Sequence, residues 1–89
     1  MRIPKQFQLA GVVWKVIQQD TLNDNNGLCD RDNATIFLAK NLKSPQKELT
    51  FLHELIHAIR YSRGEVDGHD EKDVDSFARL LHQYMLTAK

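Results

Sequence analysis

The chain has 89 residues, 42% of them hydrophobic and 27% charged, and its 12 basic and 12 acidic side chains give a formal net charge of zero. This length predicts one small domain, residues 1–89, whose modest core would benefit from a metal, a protein partner or oligomerisation. Because there is no basic surplus, we expect no binding to nucleic acid or to an anionic membrane. Cys29, as the single cysteine, excludes an internal disulfide, and with no export signal or transmembrane segment evident we expect a cytoplasmic location.

The first 40 residues have the patterns of β-strands. Residues 5–10 alternate polar and apolar side chains, and Val12–Gln19 is rich in β-branched and aromatic residues. Gly11 predicts a turn between these two strands. Turn-forming residues dominate 20–27, which predicts a loop. Residues 28–30 are then expected to form a short strand and residues 34–39 a longer one.

The second half has helical periodicity. Ser44 and Pro45 predict an N-cap followed by a first helical residue, and Gly64 predicts the end of a helix over about 45–62. Asp70 is expected to cap a last helix over about 71–87. The predicted buried stripe of that helix consists of Val74, Phe77, Ala78, Leu81, Tyr84 and Met85. We therefore predict an α+β fold in which a small, mostly antiparallel sheet, residues 5–39, packs against two helices.

The first predicted helix carries the motif H-E-x-x-H at residues 53–57. Side chains four residues apart lie on one helix face, so His53 and His57 can bind a single Zn²⁺ ion. Glu54 lies beside that face, where its carboxylate can accept a proton from a water that the metal activates. This spacing predicts a catalytic metal site, and two solvated histidines on an amphipathic helix are the alternative interpretation.

A catalytic zinc site needs a third protein ligand. We favour Glu71, because it begins the last helix and is followed one turn later by Asp75, whose carboxylate could accept the Nδ1–H of a ligating histidine. Other candidates for the third ligand are His69, Asp67, Asp70, Asp73 and Asp75.

These segments resemble a known family. The residues 53–57 and 71–75, preceded by A-T-I-F-L at 34–38 and followed by V-D-S-F-A at 74–78, are similar to the ImmA/IrrE-like zinc metallopeptidases of phages and prophages, which are minimal gluzincins. The resemblance covers roughly residues 26–82. It implies that His53, His57 and Glu71 bind zinc and that Glu54 is the general base. It also implies that the edge of the strand at 34–39 pairs with an extended polypeptide substrate.

A second group that stabilises the oxyanion is usual in such enzymes. Tyr61, one turn after His57, is our first choice for this catalytic role, although half-buried packing would equally explain a tyrosine here. Further candidates are His69, Arg60 and His82. The position of His82, about 16 Å along the helix from Glu71, excludes it as a ligand and favours a surface position or packing between the helices.

Two other functions compete with hydrolysis. In the first, zinc stabilises a small non-catalytic module that binds a protein partner. In the second, the chain is a metal-free helical interaction module. The presence of Glu54 favours the enzyme, because a purely structural zinc site needs no base and fills its fourth position with a protein ligand.

Overall fold

The computed structural model describes residues 1–20, 22–23 and 25–89. Its elements are, in chain order, β1 (Gln6–Leu9), β2 (Val12–Gln19), β3 (Gly27–Asp30), β4 (Thr35–Ala39), α1 (Gln46–Ser62) and α2 (Glu71–Thr87). The predicted α+β class is confirmed. Thr21 and Asp24, which belong to the predicted loop at 20–27, lie outside the described residues.

The four strands form one sheet in the order β1-β2-β4-β3. The pairs β1–β2 and β3–β4 are antiparallel, whereas β2–β4 is parallel, so the prediction of a mostly antiparallel sheet is confirmed. The expectation that residues 34–39 form an edge is wrong, because β4 lies between β2 and β3. The turn that folds β3 back onto β4 is held by Asp30, whose carboxylate accepts hydrogen bonds from the backbone N–H and the side-chain amide of Asn33.

Local backbone geometry explains where the strands differ from the predicted ranges. Ala10 and Gly11 have positive φ angles of 50° and 80°, which form the tight turn of the β1–β2 hairpin, so β1 ends at Leu9. Ala34 has a φ of 45°, and β4 therefore begins one residue later than predicted. The first residue of β3 is Gly27, although the sequence predicts that this residue ends the loop.

The two helices begin differently. The prediction that Ser44 caps α1 is wrong, because Pro45 occupies the N-cap and the Ser44 hydroxyl instead donates to the Glu48 carboxylate at 2.9 Å. The prediction for α2 is confirmed, since the Asp70 side chain accepts a hydrogen bond from the backbone N–H of Lys72 at 2.9 Å.

The end of α1 has the geometry of a Schellman motif. Gly64 has a φ of 92°, and its N–H donates to the carbonyl of Tyr61 at 2.9 Å. The N–H of Glu65 donates to the carbonyl of Arg60 at 3.0 Å. The predicted role of Gly64 as the residue that ends the helix is confirmed, and the turn directs the chain back toward α1.

The core lies between the sheet and the helices. Its buried members are Trp14, Ile36, Leu38, Phe51, Leu52, Ile56, Ala58, Val74 and Ala78. Strands β3 and β4 both contact α1, and α2 packs against α1. This arrangement leaves the free edge of β3 next to α1.

The buried stripe of α2 differs from the predicted one. Val74, Ala78 and His82 face α1 and are buried, whereas the side chains of Phe77 and Tyr84 are 57% and 66% exposed. Both sets of residues fit a helical periodicity. Because α2 packs against α1, only the side chains that face α1 are buried. Glu71 lies on the same helical face as Val74 and Ala78, so α2 directs it toward α1.

A buried hydrogen bond links the first turn of α1 to the second half of α2. His82 Nε2 donates to the Glu48 carboxylate at 2.8 Å, and both residues are buried. Hydrogen bonds from His82 and Ser44 hold the pKa of Glu48 below its ordinary value. Of the two positions expected for His82, packing between the helices is the one that the structure shows. Across the described residues, neither helix has the length and apolar character required to cross a bilayer.

Gly27 is the point at which β3 approaches α1 most closely. A Cβ atom at this position would lie 2.7 Å from Thr50 Cγ2 and 3.1 Å from Glu54 Cγ. We expect Gly27→Ala to lower the free energy of unfolding by about 1–3 kcal/mol, because one of these atoms must move. Urea unfolding measures this effect, with Asn26→Ala at the neighbouring exposed residue as the control. Equal stability of the two variants would contradict the close approach.

Candidate metal centre

Three side chains from two helices meet at one point. Residues 53 and 57 lie one turn apart on α1, and Glu71 is the first residue of α2. The Glu71 carboxylate lies between the two imidazoles, with Oε1 3.1 Å from His53 Nε2 and Oε2 2.8 Å from His57 Nε2. One ligand atom from each residue lies within 4.8 Å of the other two. The group could hold a metal ion.

The geometry of the cluster is compatible with a proton or a metal ion shared between its acceptors. An unprotonated imidazole nitrogen and a carboxylate oxygen are both acceptors, so an approach of 2.8 Å requires a proton or a metal ion between them. Burial lowers the pKa of His57, and the nearby His53 and His69 lower it further, although the Glu71 carboxylate opposes them. These effects favour the neutral imidazole, which is the form that binds metals.

Contacts outside the cluster fix the position of α2. The Asp70 cap sets the first residue of the helix, so that Glu71 falls in its first turn. Arg60 follows His57 by three residues and Asp73 follows Glu71 by two, and the Arg60 guanidinium binds the Asp73 carboxylate. Arg60 and Asp73 therefore connect the helices, and neither belongs to the group of three potential ligands.

Glu54 is buried beside the cluster. Its residue surface is only 9% exposed, and burial raises the pKa of the carboxyl to about 7, while His53 opposes the increase and Glu71 adds to it. Gly27 provides the space for the Glu54 side chain against β3. A carboxyl with a pKa near neutrality can both accept and release a proton at physiological pH.

Asp75 lies one turn after Glu71, near the other histidine. Its Oδ1 is 3.7 Å from His53 Nδ1, which is longer than a hydrogen bond, and its Oδ2 accepts a hydrogen bond from Arg79 Nε at 2.8 Å. The Arg79 guanidinium lowers the pKa of Asp75. Asp75 is thus an anion oriented by Arg79 and close to the Nδ1 side of His53.

His69 and Tyr61 lie on the opposite side of His57. His69 Nδ1 is 2.7 Å from His57 Nδ1, and the Tyr61 ring centroid lies 4.5 Å from that of His69. The Arg31 guanidinium covers the Tyr61 ring at 5.7 Å. Burial raises the pKa of the Tyr61 phenol, and Tyr61 lines a second cavity of about 200 Å³ instead of the cleft at the histidines.

An open cleft of about 300 Å³ gives access to the cluster. It is lined by Asn25, Asn26, Gly27, Gln46, Leu49, Thr50, His53, Glu54, Glu71, Asp75 and Arg79. The cleft therefore runs from the start of edge strand β3 to the first turns of α2. Cys29, further along β3, has a thiol whose pKa is raised to about 12 by burial and by the charges of Glu54 and Asp30, so it is protonated at neutral pH.

Sequence reasoning missed two features of this site. The Asn-Gly pair at 26–27 predicts a turn, and it does not indicate that α1 packs against Gly27. Sequence reasoning also weighed His69 as a ligand or an oxyanion donor, whereas the structure places it against the Nδ1 side of His57, away from Glu71. One sequence signal was available for this contact. His69 directly precedes the Asp70 cap of α2, and α2 was expected to lie beside α1.

The raised pKa of Glu54 predicts a pH dependence for the metal-free protein. Folding favours the protonated carboxyl, so the stability it contributes is present below the unfolded value of 4.5 and is lost as the pH rises through about 7. Glu54→Gln stays neutral and escapes this loss. Urea unfolding with EDTA should therefore show Glu54→Gln gaining stability on wild type, by on the order of 2 kcal/mol, between pH 5 and pH 8. Parallel pH profiles would contradict the burial of this carboxyl.

Comparison of the chain with protein-family models, with curated proteins and with solved structures finds no match in any of the three.

Proposed function

We propose that this protein is a zinc metallopeptidase that hydrolyses peptide bonds, with a site similar to that of the ImmA/IrrE-like family. The observation that carries the proposal is the cluster of His53, His57 and Glu71 in an open cleft beside the buried Glu54. Two imidazoles and one carboxylate are a donor set of catalytic zinc sites, in which a fourth position stays open. Cys29, which is a free thiol, supports a reducing, cytoplasmic location.

Zinc held by these three ligands would polarise a peptide carbonyl and make a water molecule more acidic. In this proposal Glu54 accepts the proton of the attacking water and then delivers it to the leaving amine. The position of Glu54 supports both steps, because its buried carboxyl lies beside the cluster and lines the open cleft. His53 and His57 would hold the metal, and Tyr61, the residue first expected to stabilise the oxyanion, lines the second cavity and has no part in this step.

The edge of β3 supports a polypeptide substrate. The N–H of Ala39 donates to the carbonyl of Asn26, and the ladder continues with Leu28 opposite Phe37. In an antiparallel ladder alternate residues direct their backbone groups to the partner strand, so those of Gly27 and Cys29 point to the free edge. An extended peptide can pair there and pass over the cleft. We therefore propose that the substrate pairs with β3, and not with the strand at 34–39.

Zinc binding and hydrolysis on one preparation test the proposal. Protein purified without chelator and supplied with one equivalent of zinc is incubated with a mixture of denatured proteins, and new N-termini are identified by mass spectrometry. We expect cleavage that EDTA stops and zinc restores. Zinc binding with no cleavage of any substrate would favour the non-catalytic, protein-binding module, and failure to bind zinc would remove both interpretations.

A further inference from the structure

His69 and His57 meet edge to edge. Their ring planes differ by only 6°, and their centroids are 4.9 Å apart while the two Nδ1 atoms are 2.7 Å apart. A centroid separation about 2 Å longer than the N···N distance arises when two coplanar rings direct these nitrogens at each other. The contact is therefore an in-plane hydrogen bond between imidazoles.

The backbone determines which nitrogen of His69 holds the proton. His69 Nε2 lies 2.7 Å from the carbonyl oxygen of Glu65, and because a carbonyl can only accept, this nitrogen must donate. A neutral imidazole has one N–H, so His69 Nδ1 is an acceptor. It can accept only from His57 Nδ1–H. In this arrangement His57 Nε2 carries a lone pair, and its 2.8 Å approach to the Glu71 carboxylate oxygen is one that a shared metal ion would bridge.

We propose that His69 is a positioning residue that fixes the tautomer and ring orientation of His57, so that His57 Nε2 is available to bind the metal. The inference rests on the proposed function, because the ion it serves is the same. It also accounts for the short Glu65–His69 turn, which supplies the carbonyl that orients His69. This role differs from that of a third ligand, since both ring nitrogens of His69 already have partners.

Packing holds His69 in this orientation. The Tyr61 ring lies against it at 4.5 Å, and His69 is only partly exposed. Glu65, at the C-terminal turn of α1, is fixed by the backbone hydrogen bond to the carbonyl of Arg60. The hydrogen bonds thus form a chain in which His57 Nδ1–H donates to His69 Nδ1 and His69 Nε2–H donates to the Glu65 carbonyl. His57 Nε2, at the other end of the chain, would bind the ion.

Two substitutions separate hydrogen bonding from packing. His69→Asn can place an amide oxygen where Nδ1 lies and so keeps an acceptor for His57. His69→Phe keeps an aromatic ring against Tyr61 but has no acceptor. Asp67→Asn is the control, because Asp67 is exposed in the same loop and lies outside the group of three potential ligands. Zinc affinity of each protein is measured by competition with a chromophoric chelator.

We expect His69→Phe to weaken zinc binding by about 10–100-fold, the usual effect of removing the hydrogen-bond partner of a ligating histidine. His69→Asn should stay within a few-fold of wild type, and Asp67→Asn should equal it. In zinc-loaded wild-type protein with ¹⁵N-labelled histidine, NMR should show a protected Nδ1–H of His57 coupled across the hydrogen bond to His69 Nδ1. This signal does not depend on any substituted protein folding.

Several results would overturn the positioning role. The first is zinc affinity of His69→Phe equal to that of wild type. The second is an equal loss of zinc affinity in His69→Phe and His69→Asn. The third is an NMR spectrum of zinc-loaded wild type in which His69 Nδ1 carries a proton or binds the ion. If wild-type protein binds no zinc, the proposed function fails and this inference fails with it. If wild type binds zinc and His69→Phe binds it equally, only the positioning role fails.

Discussion

Glu54→Gln should bind zinc nearly as tightly as wild type but hydrolyse peptides about 10²–10⁴-fold more slowly, which is the usual contribution of a positioned acid–base group. The amide keeps the shape of the buried side chain beside Gly27, so we expect no steric disturbance of the contact with β3. It cannot accept the proton of the attacking water. Single-turnover cleavage of an identified substrate, at matched zinc occupancy, measures the effect on the chemical step.

A control for this variant must alter the cleft without touching the proposed chemistry. Gln46 lines the same cleft, at the first residue of α1 and seven residues before the first histidine. Gln46→Ala should keep the rate of the chemical step within a few-fold of wild type. If Glu54→Gln cleaves as fast as Gln46→Ala, Glu54 is not the base, whatever the zinc content of the two proteins.

The second large effect is expected at the ligands themselves. His57→Ala should lose stoichiometric zinc, and Glu71→Gln should bind it much more weakly because it replaces the anionic ligand with a neutral amide. Ligand that binds only the folded state stabilises it, by about 4 kcal/mol at a thousandfold excess over Kd. Zinc should therefore raise the Tm of wild type by about 15–30 °C, leave that of His57→Ala unchanged, and raise that of Glu71→Gln only at high concentration.

Asp67→Asn provides the matched control for Glu71→Gln, because it removes one negative charge from an exposed side chain in the preceding loop. It should bind zinc and gain stability like wild type. A Glu71→Gln variant that keeps wild-type affinity would show that the third ligand lies elsewhere. His69 would be the next candidate, with its affinity loss then equal in the Phe and Asn variants.

The sequence predicted elements whose patterns are local. The bounds of Val12–Gln19 agree with the structure, and Asp70 and Gly64 cap their helices as expected, because propensity and capping act over a few residues. The spacing of His53 and His57 predicted a shared face for the same reason. Glu71 was favoured because it starts a helix, and the packing of α2 on α1 brings it to the histidines.

The remaining differences come from contacts between distant segments. The sheet edge is formed by β3 and not by the strand at 34–39. Strand order depends on which strands pair with each other, and the sequence of one strand does not encode it. Phe77 and Tyr84 fit a helical stripe as well as Val74 and Ala78 do, and only the position of α1 decides which face is buried. The partners of His69 likewise depend on the loop that returns it to α1.

The position of a metal ion in crystals tests the central claim most directly. Crystals of zinc-loaded protein, measured on both sides of the zinc absorption edge, would give an anomalous difference map. We expect one peak per chain, about 2.0–2.2 Å from His53 Nε2, His57 Nε2 and a Glu71 carboxylate oxygen. A peak bound to His69 Nδ1 or to the Cys29 sulfur, or no peak in protein loaded with excess zinc, would contradict the proposed centre.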